Sequence, residues 1–145
     1  MEEKTPLSVF RFVKYTVNDS SMAIKDGNVS NDLRLSLKLD VNIEAEKEIS
    51  TLCITMDLHD ANSVLSMHVR MTGYFQACDC DINQKRMFTC MNAPAILFPY
   101  IRAYVSCVTA QSGIAPIIIP TVNLQKDGQE LLRKISGRDA PIINV

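Results

Sequence analysis

Leu33-Arg34-Leu35-Ser36-Leu37-Lys38-Leu39-Asp40-Val41-Asn42-Ile43-Glu44 alternates apolar and polar side chains without a break. In an extended chain successive side chains fall on opposite faces, so this stretch predicts a strand with one aliphatic face and one wet face. Residues from about Leu52 to His59 repeat the pattern, with Leu52, Ile54, Met56 and Leu58 on one side and Cys53, Thr55, Asp57 and His59 on the other. A third alternation sets Leu65, Met67, Val69, Met71 and Phe75 against Ser66, His68, Arg70 and Thr72. Between these two runs, Asp60-Ala61-Asn62-Ser63 supplies turn residues and centres a hairpin between Ala61 and Asn62. One wet face per strand marks an antiparallel sheet, because parallel strands are usually covered on both faces.

Working outward, Ser8 to Val17 is also strand-like, with a phase slip between Phe12 and Val13. Such a slip predicts a bulge or a strand buried on both faces. The Lys25-Asp26-Gly27-Asn28 cluster turns the chain toward the next strand. After Cys78 the period becomes helical. Asp81 caps a short helix through about Met91, and Pro99 suits the first turn of a longer one carrying Ile101, Tyr104, Val105 and Val108. Cys107 falls in the core of that helix, and Gly113 stops it. Ile114 to Pro120 is too proline-bracketed for a central strand. A last amphipathic helix covers Gln125 to Ile135, with Asn123 as its cap and Gly128 as a weak point. The fold class is therefore α+β: a four-stranded antiparallel sheet followed by two main helices. Residues 1–145 form a single domain, with 136–145 as a short tail.

Lys and Arg number 15 against 16 Asp and Glu, which excludes the strong basic field that nucleic acid or anionic lipid would require. Lys85-Arg86 and Arg133-Lys134 read as solvated helix faces with no neighbouring aromatic to stack a base. The opening Met-Glu-Glu-Lys-Thr-Pro carries no apolar leader, and the five cysteines are an odd number; both point to reduced thiols in the cytoplasm. The longest stretch free of polar side chains, Ala93 to Ile101, is broken by two prolines and falls short of the roughly 20 residues a membrane helix needs. The five glycines are too dispersed for a phosphate-cradling loop, so no cofactor is expected. Cys78-Asp79-Cys80 with Cys90 lacks the spacing of a zinc site, so no metal is expected either.

Two features remain. With the hairpin centred as above, Asp57 lies diagonal to His68 on the polar face, the one pairing with the geometry of an oriented base. The other is aliphatic surface: four strands present more of it than two helices readily cover, and uncovered apolar grooves bind partners. Seven methionines and an aromatic content of 6% make that surface deformable rather than aromatic.

The segment Asn92-Ala93-Pro94-Ala95-Ile96-Leu97-Phe98-Pro99-Tyr100-Ile101-Arg102-Ala103, then Gly113-Ile114-Ala115-Pro116, then Pro120-Thr121-Val122-Asn123-Leu124, resembles the SecB family of export chaperones. That family has Leu-Phe-Pro-Tyr-Ala-Arg-Glu in its main helix, a Gly-x-x-Pro turn, and Pro-Val-Asn-Phe before its last helix. Gly73-Tyr74-Phe75 is similar to the Gly-Ile-Phe that closes the family's fourth strand. The resemblance implies an ATP-independent holdase rather than an enzyme, cytoplasmic, assembled as a homotetramer from two dimers, and binding unfolded client polypeptides. It also implies that Leu37, Leu39 and Val41 line the client groove from the second strand, and Leu124, Leu131 and Leu132 from the terminal helix. Family members dock the ATPase SecA through acidic residues on the outer sheet face. Here Asp19 stands in that patch, but Ala23 and His68 occupy acidic positions, and the family's acidic tail is replaced by Gly137 to Val145. Chaperone activity is thus the firmer implication, with export or a dedicated client such as an antitoxin as its setting. The alternative is a small-ligand-binding protein or enzyme built on Asp57 and His68.

Overall fold

A computed structural model of the chain describes residues 10–139. Four strands, β1 (Phe10–Ile24), β2 (Leu33–Asn42), β3 (Ile49–Asp60) and β4 (Leu65–Ala77), form one antiparallel sheet in the order β1-β4-β3-β2. The helices follow in sequence: α1 (Ile82–Met87), a π-helical turn over Phe88–Asn92, α2 (Ala93–Ala110) and α3 (Gln125–Asp139). This is the expected α+β arrangement, and β1 and β2 are its edge strands.

The period-two stretches behave as read. Leu52, Ile54, Met56 and Leu58 of β3, and Met67, Val69, Met71 and Phe75 of β4, form the core with Leu97, Ile101 and Val105 of α2. Gly73 lets α2 lie close: a Cβ there would meet Phe75 Cε2 at 2.9 Å and Leu97 Cδ1 at 3.1 Å. The hairpin differs from expectation by one step. Asp57 pairs with His68 and His59 with Ser66, so the centre falls between Asn62 and Ser63. The buried Asp60 explains the shift. Its Oδ1 accepts the amides of Val64 and Leu65 at 2.8 Å each, and Ser63 takes φ 57° to close the loop. Asp60 Oδ2 accepts the Ser30 amide at 2.9 Å, which ties the approach to β2 onto the same carboxylate.

β1 carries the expected bulge at Val13 and a second at Asn18, and it runs on to Ile24 instead of ending at Val17. The second bulge resets the phase, so Ser20 takes an inward position and accepts a hydrogen bond from Tyr104 Oη at 2.8 Å. Six aromatic rings (Phe10, Phe12, Tyr15, Phe75, Phe88 and Tyr100) clip β1 to the helical layer, with centroid separations from 4.8 to 6.4 Å.

The two expected helices after Cys78 are one continuous helix from Ile82 to Ala110. Asp81 and Gln84 form a reciprocal capping box at its start. Pro99 lies inside α2 rather than in its first turn, and Pro94 marks its start, just beyond the π-helical turn. Length and composition would let this helix cross a membrane. Its Ala93, Leu97, Ile101 and Val105 are instead buried in the core. Lys85 is also buried, contrary to the solvated-face reading, because its Nζ donates to the carbonyls of Ala45 at 3.0 Å and Lys47 at 2.9 Å. Cys107 is exposed, not core.

Gly128 has the opposite role from the one expected. It is buried, and a Cβ there would fall far inside contact with the Cys90 carbonyl oxygen of the π-helical turn. Pro94 has no N–H to offer that carbonyl four residues earlier. The absence of a side chain at Gly128 is what lets α3 seat against the turn. α3 also runs past Ile135 to Asp139, so residues 136–139 are helix rather than tail; the remainder of the expected tail lies outside the described residues.

Candidate functional site

The two halves of the inward sheet face are covered unequally. The inward residues of β3 and β4 are buried under α2, whereas Leu33, Leu35, Leu37, Leu39 and Val41 of β2 are only half-buried. The reason is topological: β2 is an edge strand, and the element against it is α3, a helix with a narrow apolar stripe of Leu131, Leu132 and Ile135, each half-buried. Of the residues expected to line a groove, Leu37, Leu39 and Val41 thus stand on β2, with Leu131 and Leu132 on the helix packed against that strand. Leu124 differs. It is 6% exposed and belongs to the core, anchoring the chain as it enters α3.

The segment joining α2 to α3, expected only to be a poor strand, adds to the aliphatic surface. Ile114, Ile117 and Ile118 line a depression of about 280 Å³ with Val29 and Leu33, at the start of β2. A second depression, of about 550 Å³, lies between the start of α2 and Thr121–Gln125, with Phe98, Val122 and Leu124 in its wall. The Ile117-Ile118-Ile119 triplet was the available signal, but flanking prolines marked it only as a poor strand. The inward face of β2, α3 and this connecting segment are aliphatic because the clustered aromatics sit at the other edge of the sheet, under β1.

The polar face carries a row across three strands. His68 of β4 lies directly opposite Asp57 of β3, not diagonal to it, and its Nδ1 is 2.7 Å from Asp57 Oδ1. Its Nε2 is 3.5 Å from Asp19 Oδ2 of β1. Both ring nitrogens face carboxylates, and no Ser or Cys hydrogen-bonds the ring among the described residues, so no nucleophile is paired with it. The strand alternation also puts this row on the face opposite the aliphatic one.

None of the five cysteines is in a disulfide. Burial pushes the Cys90 thiol up to about 11 and raises Cys80 above its ordinary value, so both are poor thiolates at neutral pH. Among the described residues no three His, Cys, Asp or Glu side chains are grouped to hold a metal ion.

Comparison with known proteins agrees with this architecture. The family model described as preprotein translocase subunit SecB matches residues 13–127. An uncharacterized protein of Methanocaldococcus jannaschii is 31% identical over 130 residues, covering 84% of each chain. The protein-export protein SecB of Nitrosomonas eutropha is 26% identical over 156 aligned positions, covering 99% of this chain and 98% of the other. Among solved structures, the Mycobacterium tuberculosis SecB-like chaperone in complex with a ChAD peptide from an antitoxin superposes with a TM-score of 0.68 at 14% identity, covering 80% of this chain and 93% of that one. The family model spans most of the sheet and all of α2, and on that match the chain belongs to the SecB family.

Proposed function

We propose that this SecB-family chaperone holds unfolded polypeptides, without ATP, against the aliphatic face shared by β2 and α3. The observation that carries the reading is the unequal cover of the sheet: the inward side chains of β2 are half-buried while those of β3 and β4 are buried. Each client Leu or Val side chain buried there brings about 1.5–3 kcal/mol, with no need for a particular sequence. Aliphatic walls also repack around different clients.

Homotetrameric assembly, as a dimer of dimers, and a cytoplasmic location belong to the same proposal and rest on family membership. A dedicated client such as an antitoxin is the second setting, favoured by the likeness to a chaperone solved with an antitoxin peptide. Export coupling through SecA is disfavoured. His68 stands between Asp19 and Asp57 on the outer face, Ala23 adds no charge, and the whole chain has a formal net charge of −1. Calorimetric titration with SecA should give no micromolar binding; a micromolar or tighter complex would restore the export role.

The purified protein should suppress aggregation of an unfolded test protein at near-stoichiometric ratio. Leu39→Asp with Leu131→Asp should abolish that effect while the circular dichroism spectrum stays that of the wild type. A wild type without effect on any unfolded client would sink the proposal.

A further inference from the structure

Three side chains of α2 hold the backbone of the segment that joins it to α3. Arg102 Nε donates to the Ile119 carbonyl at 2.8 Å, and Ser106 Oγ donates to the Ile117 carbonyl at 2.8 Å. The Ile117 amide donates to Thr109 Oγ1 at 2.9 Å, and that hydroxyl donates in turn to the Val105 carbonyl at 2.7 Å. Spacings of four and three residues place Arg102, Ser106 and Thr109 on one helix face. A triple-isoleucine run that would otherwise seek a sheet is therefore held by helix side chains.

Ile118 lies between the two anchored residues and differs from both. Ile119 is buried and Ile117 half-buried, whereas Ile118 is 71% exposed. Among the described residues its N–H and C=O have no hydrogen-bond partner. In an extended chain the N–H and C=O of one residue lie on one side and those of its neighbours on the other. With Ile117 and Ile119 bonded to α2, the polar groups of Ile118 face away from the helix. Pro116 and Pro120 keep this open edge too short for unlimited strand pairing, the usual hazard of an exposed aliphatic edge.

We infer that Ile118 is a backbone-recognition point for an extended polypeptide, and that Arg102, Ser106 and Thr109 are positioning residues that keep it presented. The inference rests on the client-groove reading above and names a further element of that site. An extended peptide residue supplies both groups the open edge lacks: a C=O for the Ile118 N–H and an N–H for the Ile118 C=O. An acyl chain or aromatic ring supplies neither. Such pairing is independent of client sequence, while the Ile118 side chain and nearby Leu33 add aliphatic contact in the depression they share.

The test uses a fluorescent, unstructured Leu- and Val-rich peptide and the full chain, read by anisotropy. N-methylation of alternate peptide amides should weaken binding to the wild type about fivefold in one of the two registers, as expected for one lost neutral hydrogen bond. Ile118→Pro, which removes the protein's N–H and the isoleucine side chain but leaves the Ile118 C=O as an acceptor, should weaken the unmethylated peptide more than Ile118→Ala, which removes the side chain alone, and both variants should keep the difference between registers. Ser106→Ala should speed peptide dissociation, and Ser106→Thr should restore it, a rescue that general loss of stability would not show. Equal affinity for both methylated registers in the wild type overturns the inference without need of any variant. If the wild type binds no unfolded peptide at all, the groove reading fails and takes this inference with it; binding that ignores methylation refutes the inference alone.

Discussion

Replacing Gly128 by alanine tests how the groove's helical wall is held. Helix propensity alone would make the change stabilising by about 1 kcal/mol. The site reverses the sign. A Cβ on residue 128 falls inside contact with the Cys90 carbonyl oxygen and lies 3.2 Å from its carbon. A backbone carbonyl does not swing aside as a side-chain tip does, so α3 must move off the π-helical turn by about 1 Å to recover normal contact. Overpacking of this kind costs roughly 1–3 kcal/mol. Offset by the propensity gain, the expected net loss is about 0–2 kcal/mol, a fall of up to about 6 °C in Tm for a domain of this size. Gly137 provides the control on the same helix, since a Cβ there meets nothing within 4 Å. Gly137→Ala should leave Tm unchanged or raise it. Thermal melts should be paired with hydrogen exchange on α3 amides, which should open faster in Gly128→Ala than in the wild type. A Gly128→Ala protein as stable as Gly137→Ala, with α3 exchange unchanged, would refute the close seating of α3 on the turn.

Other predictions concern the loops and the outer face. Burial pushes the Asp60 carboxyl up, but the amides of Ser30, Leu65 and Val64 outweigh it and set its pKa below the usual carboxylate range. The stability it contributes is therefore present above the unfolded pKa of about 3.9 and is lost as pH falls through the lower folded value. Asp60→Asn should melt lower than the wild type at neutral pH, with the gap closing in melts taken below about pH 4; a gap that widens in acid contradicts this. Lys85→Met should lose about 1–3 kcal/mol in urea unfolding, because the carbonyls of Ala45 and Lys47 lose their buried donor; an unchanged midpoint would mean that water replaces it. His68→Ala should leave suppression of aggregation intact, since His68 lies on the face opposite β2's aliphatic side chains; loss of suppression would put clients on the outer face.

The strands were legible because β2, β3 and β4 each bury one face, and that condition writes period two into the sequence. What escaped was set by interactions that leave no period. The hairpin centre depends on Asp60 accepting the Val64 and Leu65 amides, a preference that turn composition alone does not register. β1 faded from view after Val17 because the Asn18 bulge and inward Ser20 interrupt its phase. The long helix looked like two because its π-helical turn shifts the apolar stripe and Pro94 and Pro99 resemble helix starts. Gly128 reads as a weakness by propensity, and only the proximity of Cys90 reveals it as a contact. The two aliphatic walls were named from a resemblance, but the anchored Ile117–Ile119 segment was not, because it is held by helix side chains rather than by a strand ladder.

The most direct test of the central claim is where a client touches. A photo-crosslinking residue placed in turn at Leu39 on β2, Leu131 on α3, and Thr55 on the outer face of β3 should be irradiated with an unfolded client bound. Crosslinks are expected from Leu39 and Leu131, with little from Thr55. Strong crosslinking from Thr55, with none from Leu39 or Leu131, would contradict that claim.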